Sequence, residues 1–399
     1  MELLNSEKKN AVLSSMIRLM DEKREAIIDA NKKDLDAFDR DDQALYDRLV
    51  VDSAKVDDMI RSVKEVLDQE DPVGKEISNI TLDTGLNIVN KTDPFGTILI
   101  IYESRPDVTI EAAVLAFKAN NKILLKGGRE AYNSNVSLVE LWHQALDENG
   151  LSSSWIKMLN KNREETQAFL QNPDEKLDLI VPRGGERLID FVKLHAKCAV
   201  LISGRGNNFL YVSPKADWEK SVKVIVNAKT NKISGCNALD KVLIDVNCPD
   251  FDAKVKDLST VLNQLGVEVL IDKPIAEKVS FATVNDSEAT WYEEFLAMKI
   301  LIGGVISLQE AIDKVNLYSG KHSSVIMTED QDEAKQFMEQ VDSAAVYHNA
   351  SSRFTDGGQM GGGAELAIST DKLHHRGPLG LKQLVTNKYY VFGNGHIRE

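Results

Sequence analysis

Apolar residues recur at helical spacing from residue 6 to 33: Val12, Leu13, Met16, Ile17, Met20, Ile27 and Ile28 fall on one face. That predicts one amphipathic helix with Ser6 as its N-cap. A second helix is predicted over 53–68. The stretch "NITLDTGLNIVNKTDPFG" (79–96) instead alternates polar and apolar residues around a Thr-Gly turn, which predicts an exposed hairpin. An exposed strand edge invites pairing, so this arm is expected to meet a neighbouring subunit. From residue 97 short apolar runs alternate with amphipathic stretches. "TILIIY", "KILLKGG", "LDLIVPRGG" and "AVLISGRGNNFLYV" read as strands, with helices over "DVTIEAAVLAFKAN", 134–148 and "ERLIDFVKLHA" between them. Such an order predicts a parallel sheet covered on both faces, with ligand sites at the carboxyl ends of its strands.

After Cys236 a second series begins, with strands in "KVLIDV", "VEVLID" and "SSVIMT" and helices over 251–265, "SLQEAIDKVNLYS" and "DQDEAKQFMEQV". A second α/β domain is therefore expected. The last fifty residues are rich in Gly, polar groups and cations, until "LVTNKYYVFGNG" reads as a strand and a partner for the hairpin arm. At 399 residues, several domains are expected. A net charge of −14 argues against nucleic acid and anionic membrane surfaces as partners. Three cysteines without a CxxC pair suit a reducing compartment, and no apolar run has the length of a signal peptide or membrane span. A cytoplasmic protein is expected.

Cys236 lies in "AKTNKISGCNALDKVLI", between small turn-forming residues and a strand. Cysteine is among the most buried residue types, so the residue by itself reads first as packing, and as a nucleophile only in context. "GRGNNF" (204–209) is an incomplete dinucleotide fingerprint that leads into a strand rather than a helix. "VPRGGERLIDF" is better placed: Gly184 and Gly185 stand where a strand meets a helix, so free amides and Arg183 could hold a phosphate there. A plain strand–helix turn fits the same residues. Arg105, Arg353 and Arg376 lie in turn-rich loops and suit carboxylate or phosphate recognition. The seven histidines show no metal-binding spacing, and no metal is expected.

Taken together, "PFGTILIIYESRPDVTIEAA", "ILLKGGREA", "DLIVPRGG", "CNALDKVLI", "HSSVIMTED" and "AAVYHNASSRFTDGGQMGGGAELAISTDKLHHRGPLGL" resemble the γ-glutamyl phosphate reductase family, a branch of the aldehyde dehydrogenase superfamily. The likeness runs over nearly the whole chain. It implies an aldehyde-dehydrogenase-like α/β fold in which 1–78 and 96–228 bind NADP(H) and 229–352 form a smaller catalytic domain. Residues 79–95 and 378–399 would form the oligomerisation arm and C-terminal strand, and 353–377 a Gly-rich active-site segment. The implied reaction is NADPH-dependent reduction of L-glutamyl 5-phosphate to glutamate 5-semialdehyde with release of phosphate, the second step of proline synthesis from glutamate. It also implies a homo-oligomer, with glutamate kinase as a candidate partner.

The family's nucleophile falls on Cys236, and Asn237 beside it is the candidate to hold a developing oxyanion. Arg105, Asp107 and Arg353 are the substrate-binding candidates; Lys126, Arg183, Gly184 and Gly185 are those for the cofactor. No acid stands between Asp190 and Asp217, where hydrolytic relatives carry a water-activating glutamate. Departures from the family pattern fall at Asp107, Asn208, Gly303, Lys314 and Ser324. The same residues leave two other readings open: a CoA-acylating or other phosphorylating aldehyde dehydrogenase, and a silent member serving as a scaffold.

Overall fold

The first amphipathic stretch folds as two helices rather than one. In this computed structural model, which describes residues 2–39 and 43–398, they run over Ser6–Glu22 and Arg24–Ala37. Asn5, not Ser6, caps the first, its side chain accepting from the Lys8 amide at 2.8 Å. The Ser6 hydroxyl donates instead to Asp71 at 2.9 Å. Val12, Leu13, Met16, Leu19 and Met20 turn one face inward, and Val56, Met59, Val63 and Val66 of the helix Ser53–Asp68 join the same core.

Contacts divide the chain into two compact units. The first comprises 1–202, 361–367 and 379–399; the second comprises 203–360 and 368–378. The first unit holds a five-stranded parallel sheet in the order Ile156–Met158, Lys122–Lys126, Thr97–Tyr102, Leu179–Arg183, Ala199–Val200. Numbered along the chain this is 3-2-1-4-5, the dinucleotide-binding order. Its switch point lies between Thr97–Tyr102 and Leu179–Arg183, which puts Glu103–Arg105 and Gly184–Gly185 side by side at the strands' carboxyl ends. The helix Pro106–Lys118 packs on it, buried from Ile110 to Lys118 except at Glu111.

The hairpin arm forms as expected. Glu76–Thr81 pairs antiparallel with Asn87–Pro94, and Gly85 takes the left-handed conformation (φ +86°) that the turn requires. The C-terminal strand Val385–Phe392 pairs with the other side of Asn87–Pro94.

The second unit holds seven parallel strands: Thr283–Asn285, Glu268–Asp272, Lys299–Val305, Leu239–Asp245, Asn208–Val212, Ser323–Met327 and Ala345–His348, in that order. The division expected at 228/229 falls instead at 202/203. The reason is Asn208–Val212, which is wholly buried and hydrogen-bonded between Leu239–Asp245 and Ser323–Met327. That strand, with the helix Trp218–Thr230 behind it, therefore belongs to the sheet that follows.

Candidate active site

The helix Trp218–Thr230 and the strand Leu239–Asp245 are joined by the turn that carries Cys236. A buried ion pair closes the ends of that turn, with Lys229 Nζ 3.0 Å from Asp240 Oδ1. Inside it, the Ala238 amide donates to the Gly235 carbonyl at 2.9 Å and the Gly235 amide to the Lys232 carbonyl at 3.2 Å. Cys236 is exposed, Cys198 half-buried and Cys248 buried. Burial pushes the Cys248 thiol up to about 11 and raises that of Cys198 as well. Of the three, Cys236 is the most exposed.

Arg353 stands beside it, in the short helical turn Ser352–Phe354. An ideal Cβ at Gly235 would lie 2.7 Å from Arg353 Nη1, so the guanidinium rests on the backbone next to the cysteine. Arg353 Nε also donates to Asn231 at 3.3 Å. Burial lowers the pKa of the guanidinium, and the charges of Cys236 and Asp356 oppose that shift. Arg353 therefore places a positive charge beside the cysteine turn.

The Asn237 side chain is committed elsewhere. Its Nδ2 donates to the carbonyls of Arg353 (3.2 Å) and Thr355 (2.8 Å), which takes both amide hydrogens. The oxyanion role expected of this side chain has no donor left in this geometry; Asn237 instead positions the segment bearing Arg353. Ser352 Oγ returns a hydrogen bond to the Asn237 carbonyl at 2.7 Å. His322 is buried, and burial pushes its imidazole down to about 4, so it is neutral at pH 7. Its Nδ1 joins a chain of hydroxyls, Ser323, Thr355 and Tyr347. Ser324 is satisfied by Ser343 at 2.8 Å. A side chain at Gly303 would meet the ring of Trp291 at 2.6 Å, so the indole fills that space. Arg376 is anchored on Asp342 at 2.7 Å.

In the first unit, Asp107 is buried and paired with Lys55 (2.6 Å) and Arg105 (3.2 Å). Burial works against its charge, but Arg105 and Lys55 outweigh it and push the carboxyl down to about 2. An ionised Asp107 only accepts, so it steadies Arg105 rather than donating to substrate. At the switch point the Gly185 amide donates to Glu103 Oε2 at 3.2 Å, and a Cβ on Gly184 would lie 2.4 Å from the same oxygen. A carboxylate therefore stands at the helix N-terminus expected to receive a cofactor phosphate. Arg183 faces the Leu366 carbonyl and, at 3.8 Å, Glu111.

Lys126 lines a cavity of about 370 Å³ at the carboxyl ends of Lys122–Lys126 and Ile156–Met158, with Arg129, Tyr132, Lys161, Asn162 and Glu165. Burial lowers its pKa, and its Nζ donates to the Gly127 carbonyl at 2.9 Å. Glu165 is turned to the Asn162 amide, so three cations dominate the wall. No motif in the sequence marks Arg129 or Lys161. Their signal is position, since each follows a strand end by a few residues.

A parallel sheet in dinucleotide-binding order and a second parallel α/β unit give the chain an aldehyde-dehydrogenase-like fold. The acetylating aldehyde dehydrogenase of Geobacillus thermoglucosidasius shares this fold, with a TM-score of 0.68 at 16% identity over 99% of this chain and 94% of that one. The chain is 38% identical to gamma-glutamyl phosphate reductase 2 of Bacillus licheniformis, covering 100% of this chain and 94% of the relative. It is 40% identical to the gamma-glutamyl phosphate reductase of Caldicellulosiruptor bescii, covering 99% and 95%. The crystal structure of the Thermotoga maritima gamma-glutamyl phosphate reductase superposes with a TM-score of 0.94 at 39% identity, covering 99% and 95%. No protein-family model matches the chain. The chain belongs to the gamma-glutamyl phosphate reductase family.

Proposed function

We infer that this protein reduces L-glutamyl 5-phosphate to L-glutamate 5-semialdehyde and releases phosphate, with Cys236 as the nucleophile. The observation that carries the reading is the exposed Cys236 thiol held beside Arg353 in a chain of this family. The Cys236 thiolate attacks the acyl carbon, the carbon–oxygen bond to phosphate breaks, and phosphate departs with the electron pair, leaving a thioester. Arg353 stabilises the thiolate and serves an anionic group of the substrate. When bound, the nicotinamide cofactor supplies the hydride that reduces this thioester. Cys236 then leaves as thiolate while the aldehyde carbonyl forms. Residues 191–216 contain no acid, so none from that segment activates water against the thioester.

NADPH is the cofactor we propose, because Lys126, Arg129 and Lys161 offer a 2′-phosphate three cations at one cavity. Arg129→Ala and Lys161→Ala are expected to raise KM for NADPH at least tenfold while leaving KM for NADH within twofold. Arg183, Gly184 and Gly185 remain the proposed contacts for the cofactor's diphosphate, with Glu103 yielding the helix N-terminus. The same reading makes the protein a cytoplasmic homo-oligomer that receives its labile acyl phosphate from glutamate kinase. Its free thiols support that, as does the apolar surface of the arm. Among the described residues, no helix is long and apolar enough to cross a membrane.

The test is turnover in reverse, with pyrroline-5-carboxylate, NADP⁺ and phosphate, following the reduced cofactor by absorbance. Cys236→Ala is expected to abolish phosphate-dependent turnover, while Cys198→Ala and Cys248→Ala keep it. Turnover surviving in Cys236→Ala would overturn the assignment of the nucleophile.

A further inference from the structure

Three consecutive carbonyls of the turn that carries Cys236 point into the protein, and each is met by a side chain from elsewhere in the chain. Asn237 O accepts from Ser352 Oγ at 2.7 Å. The other two belong to one residue: Asn208 Nδ2 donates to Cys236 O at 2.8 Å and to Ala238 O at 2.6 Å. The same nitrogen lies 2.9 Å from Gly206 O, so its two hydrogens are shared among three acceptors. Asn208 Oδ1 accepts the Ser323 amide at 3.0 Å, which ties the carboxamide to the start of the neighbouring strand. The residue is fully buried, so these bonds compete with no water.

The surroundings leave this arrangement little freedom. A Cβ at Gly206 would fall 1.9 Å from Cys236 O, so the two backbones touch. Glu294 Oε1 accepts the Gly206 amide at 2.9 Å and holds that segment in place. A planar peptide that has its carbonyl fixed has its N–H fixed too. Asn208 therefore sets the plane after Cys236, while the bond from the Ala238 amide to Gly235 O sets the plane before it. Together they fix the Cα of Cys236 and the direction in which its thiol leaves the backbone.

We propose that Asn208 is a positioning residue for Cys236: its carboxamide sets the backbone of the cysteine turn so that the thiol meets substrate and Arg353 in one orientation. The inference rests on Cys236 being the nucleophile. A nucleophile misplaced by about an ångström can lose roughly a hundredfold in rate while binding is unchanged.

The test compares Asn208→Ala, Asn208→Ser and Cys236→Ala with wild type in the reverse reaction. Alkylation of each cysteine by iodoacetamide is followed between pH 7 and 9 by mass spectrometry on the folded fraction. Expected for Asn208→Ala are a fall in kcat of at least tenfold, KM for NADP⁺ and phosphate within threefold, and alkylation of Cys236 at least fivefold slower. Cys198 should react unchanged. Asn208→Ser keeps one hydroxyl donor and should fall between; it carries the test if the alanine variant does not fold. Wild-type kcat and Cys236 alkylation within twofold in either folded variant, even with a lowered Tm, would make Asn208 a packing residue and overturn the proposal. Full activity in Cys236→Ala would instead overturn the nucleophile, a separately visible failure.

Discussion

Two buried charges set expectations for how stability follows pH. Lys241 is buried, with Nζ donating to the Glu293 carbonyl at 2.7 Å and lying 3.6 Å from the centre of the Phe295 ring. Burial pushes its ammonium down to about 7. Its folded pKa lies below its unfolded one, so the cost of burying the charge is full below about pH 7. That cost is relieved as pH rises toward the unfolded value of about 10.4. Lys241→Met should therefore raise Tm more at pH 6 than at pH 9.5, as calorimetry at the two pH values would register. Asp107 runs the other way. Its stabilising charge is present above the ordinary carboxyl pKa and lost as pH falls from about 4 toward about 2. Asp107→Asn should cost about 2 kcal/mol at pH 7, and urea melts should find much less of that difference at pH 2.5.

At the scale of elements, the candidate nucleophile sits at the amino end of a strand, Leu239–Asp245, in a sheet where every pairing is parallel. Ligand sites of parallel sheets are expected at carboxyl ends, where the cavity beside Lys126 lies; the cysteine turn lies at the opposite, amino end. The turn gains its rigidity from the starts of the neighbouring strands, at Gly206–Asn208 and Ser323. Gly206→Ala should thus abolish activity, because the new methyl group must displace the Cys236 carbonyl. The observable is loss of turnover with the NADPH fluorescence titration unaltered. Helix ends give a milder case. Asn162 and Glu165 form a reciprocal cap on Arg163–Gln171, and Asn162→Ala should cost roughly 1 kcal/mol in thermal or urea unfolding.

On the scale of the molecule, the three-stranded sheet of the arm exposes Ile77, Ile80, Tyr389, Val391 and Phe392. Both outer strands, Glu76–Thr81 and Val385–Phe392, keep an edge that no strand of the same chain covers among the described residues. If the arm builds the proposed homo-oligomer, Ile80→Lys with Val391→Lys should shift light scattering toward the monomer mass. An unshifted oligomer would place the interface elsewhere.

The alternation of continuous apolar runs such as "TILIIY" with amphipathic helices by itself determined the α/β class, because strands buried on both faces must be apolar throughout. The hairpin arm, its pairing with the C-terminal strand and the family resemblance were also legible, since each rests on local alternation or contiguous motifs. Other features were settled only in three dimensions. The first helix breaks near Lys23, and the strand Asn208–Val212 joins the second sheet rather than the first. The partners of the Cys236 turn come from 28 to 118 positions away, at Asn208 and at the carbonyls of Arg353 and Thr355. Asn237, adjacent to the thiol in sequence, has its amide turned away from it by those bonds. Local pattern encodes which residues are buried; which buried polar groups meet is decided by the strand order that brings distant turns together.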